Sequence, residues 1–242
     1  MAVNSIVQPS HHFRPLHERS WGARQWMYLS YSLVGTFFRV WCCLRIEGDE
    51  HIPRQGSVLF ASNHLSLLDA LLIPYTVMAT QGLQIVWSPA KEELFRLPLI
   101  GRLITSCGAF PVRRGRSDLA AMRRIMTLLR TGKMMLFPEG TRSLDGRLGP
   151  GKRTVGKFIY EARPVVIPTV VRGTEHILPK GASFPRFRLP ICVRYGQPLD
   201  LQRYYALSDT KQTAEAIVQE VMGAIAALQQ APSGTARLDR HT

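Results

Sequence analysis

The stretch Ser62-Asn63-His64-Leu65-Ser66-Leu67-Leu68-Asp69 sets an imidazole and a carboxylate five positions apart. On one continuous helix that spacing turns them ~140° away from each other. They can meet if His64 sits in a turn and Asp69 in the first turn of a helix. Ser66-Leu67-Leu68-Asp69 has the form of a capping box, a hydroxyl followed three places on by an acid. The pattern therefore predicts a helix starting at Ser66, with His64 just outside it. A carboxylate bound to one imidazole nitrogen fixes the tautomer and leaves the other nitrogen as a base near neutral pH. Such a base can take a proton from an alcohol, help worth roughly 10²–10⁴ in rate. Taken alone, a capping carboxylate beside a loop histidine explains the pair at least as well.

A second constellation is Phe137-Pro138-Glu139-Gly140-Thr141-Arg142-Ser143. Gly140 permits close approach of backbone to a ligand. Arg142 offers a planar fork suited to phosphate, and Thr141 and Ser143 add hydroxyls. Glu139 could orient Arg142 or meet a hydroxyl; an ordinary polar turn is the alternative. Residues 108–116 read GAFPVRRGR, so Arg113, Arg114 and Arg116 form a dense basic turn beside Phe110 and Val112. Residues 146–152 satisfy the GxxxxGK pattern of a nucleotide phosphate loop, but Arg153 stands where magnesium binding needs Ser or Thr. No GxSxG elbow occurs, which leaves a lipase-type serine nucleophile unsupported.

The elements that must carry these residues alternate along the chain. Strand patterns cover 57–62, 83–88, 134–137, 165–171 and 191–195, and helix patterns cover 69–79, 117–130 and 209–230. Ser117 is the expected cap of the second helix and Gly132 its end. Pro168 inside VIPTVV implies an edge or a bulge. Alternation of this kind predicts an α/β fold, a mostly parallel central sheet flanked by helices, with sites beyond the carboxyl ends of strands. The expected divisions are a polar N-terminus (1–20), a membrane-associating helical segment (21–46), the catalytic domain (47–230) and a tail (231–242). Residues 25–38 carry no charge and are bracketed by Arg24 and Arg39. The run is too short to span a bilayer and fits an interfacial or re-entrant helix, with Trp21, Trp26, Tyr28, Tyr31 and Trp41 at headgroup level. A core helix packed through its aromatics is the alternative.

The chain has 242 residues and a net charge of +14, from 31 Lys+Arg against 17 Asp+Glu. Such a surface seeks polyanions: nucleic acid, anionic lipid or phosphorylated substrates. No helix-turn-helix, zinc-finger or RNA-binding signature favours the first. The four cysteines show no paired spacing, which reads as reduced thiols in a cytosolic compartment and gives no zinc site. No cleavable secretion signal is evident in the polar first twenty residues.

Taken in order, NHLSLLD at 63–69, GAFPVRRGR at 108–116, FPEGTRS at 137–143 and VIP at 166–168 resemble the glycerol-phosphate and lysophospholipid acyltransferase family. GDEHIP at 48–53 and KEELFRLPLIG at 91–101 add to the likeness, which spans roughly residues 45–200. The resemblance implies transfer of a fatty acyl group from acyl-CoA or acyl carrier protein to a lysophospholipid hydroxyl, with 1-acyl-glycerol 3-phosphate the first choice of acceptor. It implies His64 as general base and Asp69 as its partner. Glu139, Gly140, Thr141 and Arg142 would bind the acceptor, with Arg142 on its phosphate, assisted by Arg113, Arg114 and Lys91. Pro168 would belong to the acyl side. Neither a cofactor nor a metal is implied, and Cys107 should be dispensable. The oxyanion donors are not identified; backbone N–H groups near the start of the Ser66 helix are the candidates. The expected location is the cytoplasmic face of an anionic membrane, with no nucleic-acid partner. The family's Phe-Lys-rich glycine segment after FPEGTRS is GPGKRTVG here, a departure that bears on substrate choice and not on the chemistry. Another lysolipid acceptor, such as one with an amino-acid headgroup, and a non-catalytic lipid- or nucleic-acid-binding module are the alternatives.

Overall fold

The strand Val58–Ser62, β2, is buried along its whole length and shows how the core is divided. Val58 and Phe60 point to one side of the sheet, and Leu59 and Ala61 to the other. Both faces of a parallel sheet must be covered, so such strands read as continuous apolar runs. The computed structural model describes residues 18–113, 118–143, 145–179, 181–182, 184–187 and 189–232.

The other strands are β1 (Cys42–Glu47), β3 (Val86–Lys91), β4 (Ala109–Val112), β5 (Lys133–Leu136), β6 (Val165–Arg172) and β7 (Leu189–Tyr195). They form one seven-stranded sheet in the order β1-β7-β6-β2-β5-β3-β4. Neighbours are parallel except β6 and β7, so β1 and β7 run against the rest. This is the expected α/β fold with a mostly parallel sheet.

One face packs against α1 (Trp21–Thr36) and α2 (Asp69–Gln81) through Met27, Tyr31, Val34, Leu72 and Ile73. The short α3 (Pro98–Ser106) adds Leu103 to that cluster. The other face packs against α4 (Leu119–Thr131), α5 (Arg153–Ala162) and, after the single turns α6 (Thr174–Ile177) and α7 (Gln202–Tyr205), α8 (Lys211–Gln230). Ile125, Leu129, Phe158, Ile159, Ile217 and Val221 fill that second cluster.

Four expectations change in detail. The strand read at 83–88 begins at Val86, because Gly82 ends α2 at φ 84° and Leu83 to Ile85 bridge to the sheet. The helix read at 117–130 is capped by Asp118, whose carboxylate accepts from Ala121 N at 2.9 Å; Ser117 lies outside the described residues. The apolar residues after 40 do not continue the N-terminal helix. A π-helical turn at Phe37–Trp41 leads into β1, so the division at 46/47 cuts a strand of the sheet. Pro168 is not on an outer strand. β7 joins β6 only from Thr169 onward, and Pro168 O accepts from Gly196 N at 2.8 Å, so the missing N–H falls at the last rung of that pairing.

The N-terminal helix has a buried side and an exposed side. Met27, Tyr31 and Val34 are buried in the core, while Trp21, Tyr28, Leu29 and Leu33 are exposed. Among the described residues, no helix is long and apolar enough to cross a membrane.

The packing of α5 on α8 is unusually close at Gly156, where a Cβ would collide with the carbonyl of Ala214. An exposed helical Gly→Ala exchange stabilises by ~1 kcal/mol. Here the added methyl must separate two helices, and overpacking of that kind costs about 1–3 kcal/mol. Gly156→Ala is therefore expected to lower the urea midpoint, measured by circular dichroism, and not to raise it.

Candidate active site

The site begins where β2 ends. Asn63 turns its side-chain amide toward β6: Nδ2 donates to Val171 O at 2.9 Å, and Oδ1 accepts from Val171 N at 2.8 Å. The amide group thus supplies one more rung to the ladder after the strand itself has stopped. That rung fixes the start of the turn carrying His64.

Asp69 is fully buried, and its carboxylate is surrounded by donors. Oδ2 accepts from His64 Nδ1 at 2.9 Å, from Leu65 N at 2.7 Å and from Ser66 N at 2.8 Å. Oδ1 accepts from Thr174 Oγ1 at 2.6 Å. Since Oδ2 is the acceptor, Nδ1 carries the hydrogen and Nε2 is the basic nitrogen. The imidazole lies flat on the ring of Phe137, with centroids 3.8 Å apart and planes 9° from parallel. Ser143 N donates to His64 O at 2.8 Å. The carboxylate, the aromatic face and this backbone bond together hold the histidine's position and ring plane.

The expected capping box forms only in half. Ser66 N donates to the acid, but the Ser66 hydroxyl donates to Leu178 O at 2.9 Å and does not take the Asp69 amide. The helix accordingly starts at Asp69, three residues later than Ser66. The amides of Leu65 and Ser66 are also removed from the list of oxyanion donors, because the buried carboxylate holds both.

His64 is one wall of a cleft of about 320 Å³. Phe137, Pro138 and Gly140 continue that wall. Ala121, Met122 and Ile125 of α4 face Val155 and Phe158 of α5 across an apolar slot. Lys152 and Arg113 are the cations of the lining. A larger groove of about 930 Å³ between α1 and α3, lined by Arg19, Trp26, Phe95 and Arg102, contains neither His64 nor Asp69.

The second constellation does meet the first. Gly140 adopts φ 68° and closes a turn by donating its N–H to Phe137 O at 2.9 Å. Glu139 is buried; its Oε2 accepts from Gly149 N at 2.9 Å, while Oε1 has no partner among the described residues. Glu139 therefore braces the following loop and does not pair with Arg142. Thr141 is exposed, and Arg142, half-buried, has no carboxylate partner among the described residues and lies outside the cleft walls. Arg113 lines the cleft but donates to Glu92 Oε2 at 2.9 Å. Arg114 lies outside the described residues. Lys91 ends β3 on the exposed rim, beside Val112. Pro168 is not brought to the cleft; it packs against Gly196. The apolar slot is built by α4 and α5 instead.

Cys107 is in the core, and burial pushes its thiol up to about 12, so it is no nucleophile near neutral pH. Thr174 is the site residue that sequence reasoning missed. It opens α6 after Gly173, and nothing local in Gly-Thr-Glu-His points to a carboxylate so far away in the chain.

A hydrogen bond to a charged group is worth about 1.5–3 kcal/mol, and Thr174→Val removes one donor from a carboxylate that water cannot reach. The variant is expected to lose that amount in urea unfolding. Thr174→Ser, which keeps the hydroxyl, should stay close to wild type.

Residues 43–172 match the family model described as Acyltransferase. The chain is 34% identical over 143 residues to the chloroplastic 1-acyl-sn-glycerol-3-phosphate acyltransferase BAT2 of Brassica napus, covering 57% of this chain and 40% of that protein. It is 33% identical over 168 residues to the chloroplastic 1-acyl-sn-glycerol-3-phosphate acyltransferase LPAT1 of Arabidopsis thaliana, covering 66% and 43%. The chain thus spans less than half the length of these two curated relatives. Its fold is similar to the crystal structure of the 1-acyl-sn-glycerophosphate (LPA) acyltransferase PlsC from Thermotoga maritima, with a TM-score of 0.63 at 22% identity, covering 88% of this chain and 81% of that one. The matched span holds His64, Asp69, Phe137, Gly140 and Arg142, and on that match the chain belongs to the acyltransferase family.

Proposed function

We propose that the chain transfers a fatty acyl group from acyl-CoA or acyl carrier protein to the free hydroxyl of 1-acyl-glycerol 3-phosphate, giving phosphatidic acid. The observation that carries this reading is the His64–Asp69 pair in the wall of a cleft whose far side is an apolar slot. His64 Nε2 takes the hydroxyl proton as the oxygen attacks the thioester carbonyl. The tetrahedral oxyanion collapses, the C–S bond breaks, and the thiolate leaves with a proton from the imidazolium. Asp69 stabilises the imidazolium without itself taking the proton. The donor's acyl chain lies in the slot between α4 and α5. Arg142, Gly140 and Thr141 are proposed on the acceptor side, and the relatives' names favour lysophosphatidic acid over other lysolipids.

The protein works at a membrane surface in this reading. Leu29 and Leu33 of α1 are 50% and 57% exposed, and Leu97, Leu99 and Ile100 before and within α3 add further exposed apolar surface. The net charge of +14 suits an anionic bilayer, and the cytoplasmic face is the proposed side.

The reaction class is tested by thiol release from acyl-CoA in the presence of lysophosphatidic acid. Wild type should turn over, and His64→Ala should lose about 10²–10⁴ in rate. Equal activity in the two forms would remove His64 from the mechanism. Membrane docking is tested by sedimentation with phosphatidylglycerol vesicles. A Leu29→Asp, Leu33→Asp double variant should bind at least about tenfold more weakly, since each leucine loses the benefit of burial. Sedimentation like that of wild type would show that α1 does not meet lipid.

A further inference from the structure

We infer that Lys152 is a substrate-contacting residue and that its ammonium binds the phosphate monoester of the acceptor. This rests on the reaction proposed above and adds to its acceptor site a residue outside the FPEGTRS stretch.

The backbone of Lys152 is held in place from two directions. Its N–H donates to Pro138 O at 2.8 Å, and the loop before it is braced where Gly149 N donates to Glu139 Oε2 at 2.9 Å. Both anchors belong to the turn that also carries Phe137, the ring on which His64 is stacked. From this position the side chain folds back over Gly140. A Cβ built at Gly140 would stand 2.6 Å from Lys152 Nζ, so the glycine leaves the space that the ammonium fills. Lys152, Gly140 and His64 line one cleft.

Charge bookkeeping then separates Lys152 from its neighbours. Arg113, the other cation of the lining, already has Glu92. Arg142 stands outside the cleft walls. Asp118, the acid of the lining, accepts from Arg113 N and Ala121 N, and Lys152 has no carboxylate partner among the described residues, so the cleft that holds His64 also holds a cation outside any ion pair. A phosphate that displaces only water from such an ammonium gains a charge-assisted bond without breaking an ion pair.

The source of the phosphate follows from reach. In 1-acyl-glycerol 3-phosphate the attacking hydroxyl and the phosphate sit on adjacent glycerol carbons. When the hydroxyl is at His64, the phosphate must be close by, in the same cleft. The phosphates of coenzyme A lie at the far end of the pantetheine arm, away from the reacting thioester. Lys152 is placed for the near phosphate.

The test is made on the full chain with Lys152→Met and Lys152→Arg. Lys152 is exposed and its backbone bond survives substitution, and an unchanged melting temperature checks the fold. Steady-state kinetics with oleoyl-CoA should give Lys152→Met a KM for lysophosphatidic acid raised at least about tenfold, the loss of one charge-assisted bond. The KM for oleoyl-CoA should be unchanged, and Lys152→Arg should recover most of the loss. In parallel, calorimetric titration with glycerol 3-phosphate should show binding by wild type that Lys152→Met weakens. A rise in the oleoyl-CoA KM alone would give Lys152 to the donor and overturn the assignment. A fall in kcat with both KM values unchanged would also overturn it, as would kinetics and binding identical to wild type. If wild type binds glycerol 3-phosphate through Lys152 yet acylates no lysophospholipid, the acyl-transfer reading fails and the phosphate contact stands.

Discussion

A carboxylate taken fully out of water must be given donors, because its uncompensated burial costs several kcal/mol. Asp69 is that group here, and much of the local architecture answers to it. Two of its donors, the Leu65 and Ser66 amides, come from the turn between β2 and α2. A third, the His64 ring, comes from the same turn. The fourth, Thr174, comes from the far end of β6, which requires β6 to lie beside β2 and to end at the same level. Gly173 makes the sharp departure at φ 89° that brings Thr174 inward, and a side chain there would strike the Pro190 carbonyl. Asn63 locks the same two strands together one step earlier. The tautomer of the histidine is thus a consequence of satisfying an acid, and the acid's partners fix the relation of the two central strands.

The second constellation attaches to this arrangement through His64 itself. Phe137 supplies a flat surface to the ring, and Ser143 takes the histidine carbonyl. Both come from the loop after β5, the other neighbour of β2. Three adjacent strands therefore deliver the site, all from their carboxyl ends, as open parallel sheets generally do. The apolar slot lies on one face of the sheet because α4 and α5 precede and follow β5 and both return over that face.

What the sequence disclosed follows from how local each interaction is. His64 and Asp69 are legible because the contact spans five residues and the turn between them has its own hydroxyl-acid signature. Gly140 and its turn are legible for the same reason. The period-two and period-3.6 patterns mark most of the elements, and their alternation implies the parallel sheet. Thr174 is illegible because its role depends on the strand order, in which β2 neighbours β6 and not β3. β1 is hidden because the apolar character resumes at Val40 after the single charge of Arg39 and runs on through Cys42-Cys43-Leu44, while the π-helical turn that separates helix from strand has no signature of its own. Pro168 misleads because the family motif marks a strand that the sheet needs, whereas the side chain packs on Gly196, away from the cleft. Lys152 is obscured by a chance phosphate-loop pattern, and its relation to Gly140 appears only when the loop after residue 143 folds back.

The two reversed strands give the molecule a further property. Because β1 and β7 run against the others, their first residues arrive at the end of the sheet where β2 and β6 finish. Cys42 pairs with Leu189 there, and just before them Trp41 and Phe187 pack with centroids 4.7 Å apart. Trp41 is 44% exposed, and Leu67, in the turn that holds His64, is 42% exposed. Exposed aromatic and aliphatic side chains at the end of the sheet that carries His64 are costly for a protein surrounded only by water and useful for one that rests on lipid. In the proposed function both substrates carry acyl chains and one polar reacting group. An apolar rim beside the base lets the chains remain in an apolar medium while the hydroxyl and phosphate enter the cleft. The antiparallel step between β6 and β7 thus sets these side chains at the end of the sheet that carries His64: without it, Trp41 and Phe187 would lie at the opposite end.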